Sequence, residues 1–184
     1  MVNKTSEESK PICYPCIGVE KTATAIAESK NFYANLDPRD QKTPGRLFIQ
    51  TFKHIPDTTD WSPELWQEFG AFSSALKKAV NQGLYPHIEH QLINLACLMN
   101  LAREEGTHTH WHLLPRFAGT VEIENSVTGQ KEVFKDPTYG KPYCFEQKNY
   151  RIVSDSMMLT IMKKIQGKLD LSNVPGGKLK KLHS

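Results

Sequence analysis

Thr107-His108-Thr109-His110-Trp111-His112-Leu113-Leu114-Pro115-Arg116 is the stretch on which the interpretation of this sequence depends. Its histidines occupy the alternate positions 108, 110 and 112. Because successive side chains of a β-strand point to opposite faces, the three imidazoles are predicted to line one face of a strand. Pro115 is predicted to end that strand, because proline cannot donate to a sheet ladder.

A half-buried strand whose polar face happens to be histidine is the simplest interpretation of such a run. Three closely spaced imidazoles, however, repel one another when protonated. They therefore need a shared partner, which can be a metal, a phosphate or each other. For this reason we favour a functional role for the run.

The size and composition are ordinary for one globular domain. The chain has 184 residues, of which 39% are hydrophobic and 23% charged, and its net charge of +3 gives no indication of a nucleic-acid partner. The N-terminus lacks the apolar core of a signal peptide, and no apolar stretch is long enough to span a membrane. We expect a disordered tail at residues 1–10, a domain at 11–167 and a basic tail at 168–184.

Four cysteines without an export signal favour reduced thiols and a cytoplasmic location. Cys13 and Cys16 flank a Tyr-Pro turn that presents two sulfurs toward one point, as tetrahedral zinc requires. Two cysteines alone also fit a redox pair or a chance spacing. Cys97 and Cys144 have apolar or aromatic neighbours and are predicted to be core thiols.

Hydrophobic periodicity and turn residues predict the other elements. Strands are predicted at 31–36, 46–53 and 91–100, a hairpin around 121–123 and 132–134, and helices at 20–30, 63–83 and 155–166. The strand at 91–100 is predicted to pair antiparallel with the histidine strand, because a short polar segment connects them. Residues 168–184 are expected to form a mobile tail, because they combine Pro175-Gly176-Gly177 with several lysines.

A neutral imidazole can attack phosphorus near physiological pH, because its ordinary pKa is about 6.5. The product is a phosphohistidine, which divides one difficult displacement into two easier ones. In the run at 108–112, His110 is the candidate nucleophile, and His112 offers a second imidazole on the same face to hold the phosphate.

These residues resemble the signature of the histidine triad (HIT) superfamily of nucleotide hydrolases and transferases. The similarity extends over residues 11–165 and is greatest to a zinc-binding microbial branch. It includes the Cys13-x-x-Cys16 turn, the Pro-Gly turn before the strand that ends in Lys53-His54, the strand end at Asn100, and residues 117–143.

The resemblance implies an α+β fold of the HIT type, with an antiparallel sheet, packed helices and a homodimer. It implies that His110 attacks the α-phosphate of a nucleotide and that His112 and Asn100 contact this phosphate. Asp37 would bind the ribose, although an ordinary turn aspartate before Pro38 is the alternative. One structural Zn²⁺ per chain would be held by Cys13, Cys16, His54 and His108.

Two departures from the family pattern leave the substrate open. Arg46 stands where many HIT proteins have histidine; it could reach a phosphate but cannot act as a neutral imidazole. The connection Arg103-Glu104-Glu105-Gly106 places carboxylates where other branches have neutral residues near the leaving group. Both a dinucleoside polyphosphate and a nucleoside phosphoramidate are therefore candidate substrates.

A function of another class is a non-hydrolytic nucleotide-binding or regulatory module whose lysine-rich tail recruits an acidic partner. The uninterrupted triad favours the enzyme, because a protein that only binds nucleotides does not need His110.

Overall fold

A six-stranded antiparallel sheet forms the centre of the molecule. The computed structural model describes residues 23–89, 91–98, 108–142 and 150–182. The strands of this sheet lie in the order β4-β5-β3-β2-β1-β8. Their bounds are β1 Ala25–Glu28, β2 Phe32–Leu36, β3 Leu47–Thr51, β4 Gln91–Cys97, β5 His110–Phe117 and β8 Lys178–Leu179. A separate hairpin consists of β6 Thr120–Glu124 and β7 Lys131–Lys135.

Two helices pack on one face of the sheet. Helix α1 spans Pro63–Leu84 and α2 spans Asp155–Gln166, and a short 3₁₀ helix covers Thr58–Asp60. Each α-helix begins with a serine cap, whose hydroxyl accepts from a backbone N–H in the first turn. The buried residues Phe72 and Leu76 of α1 join Ile161 of α2 in a single core with the sheet. Within the described ranges, no helix is long and apolar enough to cross a membrane.

The two helices approach each other closely at Gly83. A Cβ atom at this position would lie 2.4 Å from the carbonyl oxygen of Lys164 in α2. Only glycine therefore allows this crossing. We had expected Gly83 to end the helix, but α1 continues through Leu84, and the glycine serves helix packing instead.

Strand β3 separates the two faces of the sheet. Leu47 and Ile49 point into the core beneath the helices. Phe48 and Gln50 belong to the opposite face, and they pair across the strands with His112 and His110 respectively. The histidine face is therefore the face that the helices do not cover.

Most of the predicted elements are confirmed, including the α+β class with an antiparallel sheet. β4 pairs antiparallel with β5, the hairpin forms, and α2 covers the predicted range 155–166. Pro115, however, does not end the histidine strand, which continues to Phe117. The pairing of β5 with β3 ends at Leu113, before Pro115. The missing N–H of Pro115 therefore removes no hydrogen bond between these two strands.

Two other expectations were wrong. In place of a helix at 20–30, residues 25–28 form β1, because pairing with two strands outweighs the helix propensity of Ala and Glu. The described part of the C-terminal segment, 168–182, is not a mobile tail. Val174 is buried in the core, β8 pairs with β1, and both Lys178 and Lys180 form ion pairs with Glu28.

Candidate functional site

The candidate site lies on the face of the sheet opposite the two helices, at the start of β5. Three strands contribute two rows of side chains, because their register brings residues of the same face opposite one another. One row is Tyr33, Gln50 and His110, and the next is Asn35, Phe48 and His112. The predicted nucleophile and its partner thus lie on a common surface with four residues from β2 and β3.

His110 is buried, with 3% of its surface exposed, and its ring has a defined orientation. Its Nδ1 lies 3.0 Å from the backbone oxygen of His108. Because a carbonyl oxygen can only accept, Nδ1 carries the proton when the ring is neutral. The lone pair is then on Nε2, a buried atom without a hydrogen-bond partner among the described residues.

His112 lies beside His110, with their ring centroids 5.1 Å apart. The ring of Phe48 packs against His112 in an edge arrangement at 4.8 Å between centroids. Burial lowers the pKa of His112 to about 3, with further contributions from the nearby charges of His110, Arg46 and Arg39. The neutral form of His112 is therefore strongly favoured at neutral pH.

His108 precedes β5 and turns away from the other two histidines, toward the end of β3. Its Nε2 lies 3.0 Å from the Thr51 backbone oxygen and 3.1 Å from the Thr51 hydroxyl. Its ring centroid is 5.4 Å from that of His54. Burial lowers the pKa of His108 to about 4, so its ring is neutral, as metal ligation requires.

The predicted metal ligands can be compared with the structure only in part. His54 and His108 are adjacent, as a shared metal needs, whereas Cys13 and Cys16 lie outside the described residues. In the ranges that the structure describes, no group of three or more potential ligands occurs. The pair of imidazoles is thus compatible with half of a Cys2His2 site.

Arg46 and Asp37 bind each other. The Arg46 guanidinium contacts Asp37 at 3.3 Å and also pairs with Asp40, and all three side chains are buried. The Tyr150 ring lies 5.6 Å from the guanidinium carbon. Arg46 is thereby held in an ion-pair network, so its predicted contact with a phosphate, like that of Asp37 with a ribose, stays a prediction.

Sequence reasoning missed several residues of this face. Tyr33, Asn35, Phe48 and Gln50 lie in strands that the sequence predicts, but no functional role was predicted for them. Residues 46–51 read Arg-Leu-Phe-Ile-Gln-Thr and do not alternate between polar and apolar side chains, so they carried no local signal for these positions. Asn100, predicted to contact the phosphate, lies outside the described residues.

Comparisons with known proteins give the fold a context. No protein-family model and no curated protein matches the sequence. Among solved structures, a zinc-bound histidine triad family protein from Mycobacterium smegmatis superposes with a TM-score of 0.53 and 19% identity, covering 87% of this chain and 94% of that protein. At this identity the likeness establishes the fold.

Two further solved structures also superpose on this chain. A Hit-like protein involved in cell-cycle regulation from Bartonella henselae gives a TM-score of 0.53 at 18% identity, over 84% of this chain and 93% of that one. An uncharacterised protein designated LPG0439 gives 0.57 at 15% identity, over 98% and 95% of the two chains. This chain has the fold of histidine triad proteins.

Proposed function

We propose that this chain, which has the fold of histidine triad proteins, belongs to that superfamily and hydrolyses a nucleotide derivative at its α-phosphate. The observation that carries the proposal is the state of His110. A buried Nε2 without a hydrogen-bond partner among the described residues, on a ring oriented through Nδ1, is the arrangement that a nucleophilic imidazole needs.

In the first step, the His110 Nε2 lone pair forms a bond to the α-phosphorus while the bond from phosphorus to the leaving group breaks. The leaving group departs with the electron pair of that bond and takes up a proton. In the second step, water attacks the phosphorus, the nitrogen–phosphorus bond breaks, and a nucleoside monophosphate is released. The proton of the attacking water passes to solvent or to a basic group.

His112 is proposed to contact the phosphoryl group from the neighbouring position of β5, together with Asn100. A neutral imidazole so close to the phosphorus can donate one hydrogen bond to a phosphoryl oxygen through its N–H group. The low pKa of His112 supports this neutral form. Asp37 and Arg46 are proposed to reach the ribose and phosphate only if their ion pair opens.

The test is turnover of diadenosine tetraphosphate and of adenosine 5′-phosphoramidate by the wild type and by His110→Ala. We expect the variant to lose at least about 10³-fold in kcat, as removal of a covalent nucleophile does. His87→Ala, at an exposed histidine, is the matched control and should leave turnover unchanged. Equal turnover by wild type and His110→Ala would exclude His110 as the nucleophile. Nucleotide binding without any turnover by the wild type would favour the non-hydrolytic module.

We further propose one structural Zn²⁺ per chain, held by Cys13, Cys16, His54 and His108. A closed tetrahedral zinc would supply no catalysis and would instead tie the N-terminal cysteines to the ends of β3 and β5. The adjacent imidazoles of His54 and His108 support this, as does the zinc-bound description of the mycobacterial structure.

Metal analysis of the purified protein tests the zinc site. We expect about one equivalent of zinc in the wild type and a clear loss in Cys13→Ala and His54→Ala, because each removes one of four ligands. His87→Ala should retain the metal. A wild-type content below about half an equivalent would contradict the site.

A homodimer, a cytoplasmic location and a domain that begins at residue 11 also stay proposals. The dimer is supported by β4, which forms an outer strand of the six-stranded sheet and exposes 60% of Leu92.

A further inference from the structure

The region beside the histidines on the site face is polar, although it lies in the middle of a sheet. Tyr33 and Asn35 of β2 and Gln50 of β3 form this region, which we call the amide row. Gln50 is paired directly with His110, and Asn35 lies one strand farther away. Since neighbouring strands are about 4.8 Å apart, the amide row begins about 5 Å from the histidine strand and extends to about 10 Å.

The hydrogen bonds within the amide row fix its orientation. The Tyr33 hydroxyl donates to Gln50 Oε1 at 2.9 Å, which directs the amide nitrogen of Gln50 away from the tyrosine. That nitrogen donates to Asn35 Oδ1 over 3.4 Å, and the Asn35 amide donates to the backbone oxygen of Leu36 at 3.3 Å. The last two bonds are long for N–H···O contacts.

These bonds use only part of the hydrogen-bonding capacity of the two amides. Each amide nitrogen carries two hydrogens, and each donates a single bond within the described residues. Asn35 is only 6% exposed, so its unused N–H is withdrawn from bulk water. Such a group costs free energy unless a partner arrives, and an aliphatic side chain at the same place would avoid that cost.

We propose that the amide row selects the substrate by hydrogen bonding to its nucleobase. The proposal rests on the proposed function, since it takes the phosphoryl group to be bound at His110. The nucleoside attached to this phosphoryl group then extends across β3 and β2. The unused N–H groups of Gln50 and Asn35 meet acceptor atoms of the base, while Phe48 lies between Asn35 and His112 in the register of the strands.

This arrangement determines the type of specificity. A site with unused donors discriminates against a group that lacks the matching acceptors, because a buried donor such as that of Asn35 is then left unpaired. An apolar pocket discriminates only weakly between bases of similar size. The substrate class is accordingly a nucleotide chosen by base identity, with acceptor-rich bases preferred.

The test compares adenosine, guanosine, cytidine and uridine 5′-phosphoramidates as substrates of the wild type and of Gln50→Leu. We expect the wild-type kcat/KM values to differ by at least about tenfold among the four bases. In Gln50→Leu the values should converge to within about threefold, mainly through KM, because base binding precedes the chemistry at His110. Gln82→Leu, the same change at an exposed position of α1, is the control and should keep the wild-type spread.

A second variant distinguishes recognition from a merely structural role. Gln50→Glu preserves the size and the acceptor for Tyr33 but removes both N–H donors of Gln50. We expect it to fold and to shift preference away from acceptor-rich bases. It also provides the test if Gln50→Leu does not fold.

Equal kcat/KM values for the four bases in the wild type would overturn the proposal, as would an unchanged spread in both variants. If no substrate is turned over, the proposed hydrolytic function fails separately. Calorimetry with the four nucleoside monophosphates then tests base selection independently of turnover. Unequal wild-type Kd values that converge in Gln50→Leu support base selection, and equal values or no binding refute it.

Discussion

His110 and His112 are chemically identical residues with different surroundings, and the difference defines their proposed roles. His110 has one ring nitrogen bound to a backbone oxygen, which leaves the other as a directed lone pair. His112 has a phenyl ring at its edge and the positive charge of Arg46 nearby. Both imidazoles are neutral in the proposed mechanism, and a main-chain oxygen orients the ring of His110.

The low pKa of His112 predicts a specific loss of stability in acid. A histidine in the unfolded chain takes up a proton near pH 6.5, whereas His112 in the folded protein does so only near pH 3. Protonation therefore favours the unfolded chain, and the free energy of unfolding falls as the pH decreases between these values. The slope from this residue is at most about 1.4 kcal/mol per pH unit.

Urea unfolding at pH 7, 6, 5 and 4.5 measures this contribution. In His112→Gln the free energy of unfolding should fall less steeply with decreasing pH than in the wild type, because the variant cannot bind that proton. His87→Gln, at an exposed position, should follow the wild-type curve. Parallel curves for the wild type and His112→Gln would show that burial of His112 does not oppose its protonation.

Among the secondary-structure elements, α1 and α2 approach each other closely at Gly83. At Gly83 even a methyl group has no room against the Lys164 carbonyl. Gly70 belongs to the same helix but has no atom within 4 Å of the position where a Cβ would lie. Substitutions at the two glycines of α1 therefore distinguish the effect of helix packing on stability from the effect of helix propensity.

We expect Gly83→Ala to destabilise the protein by about 1–3 kcal/mol, because the helices must move apart. Gly70→Ala should stabilise it by up to about 1 kcal/mol, because alanine is the better helix former. Urea denaturation of both variants measures these changes. A stabilising effect of Gly83→Ala would mean that the contact between the helices relaxes without cost.

At the scale of the whole molecule, the outer strand β4 offers a surface for the proposed second copy of the chain. Among the described strands, β4 pairs only with β5. Leu92 on this strand is 60% exposed, and burying such a side chain in an interface is favourable by about 1.5–3 kcal/mol.

Analytical ultracentrifugation tests the proposed dimer. We expect the wild type to sediment with twice the chain mass and Leu92→Lys to dissociate, because a charge would be buried at the interface. Val127→Lys is the matched control, since Val127 is equally exposed at 61% but lies in the turn of the β6-β7 hairpin. A monomeric wild type, or a dimer in Leu92→Lys, would contradict the role of this edge.

The sequence predicted elements with strong local patterns and missed those that depend on distant partners. The alternating histidines, the capped helix from Pro63 and the helix at 155–166 carry their signals within a few residues. The C-terminal segment looked mobile because of its lysines, yet its order comes from backbone pairing with β1 and from Glu28, some 150 residues earlier. The amide row required the register of three strands, which no single stretch of sequence specifies.

Alternate residues of β3 belong to the two opposite faces of the sheet. Leu47 and Ile49 build the core under the helices, while Phe48 and Gln50 build the surface beside the histidines. Inserting or deleting one residue within β3 would exchange the faces to which the side chains point. An amide would then enter the core, and leucine and isoleucine would face the site. Substitutions at one set of positions can change ligand preference with little effect on folding, so stability and specificity can vary independently along the same five residues.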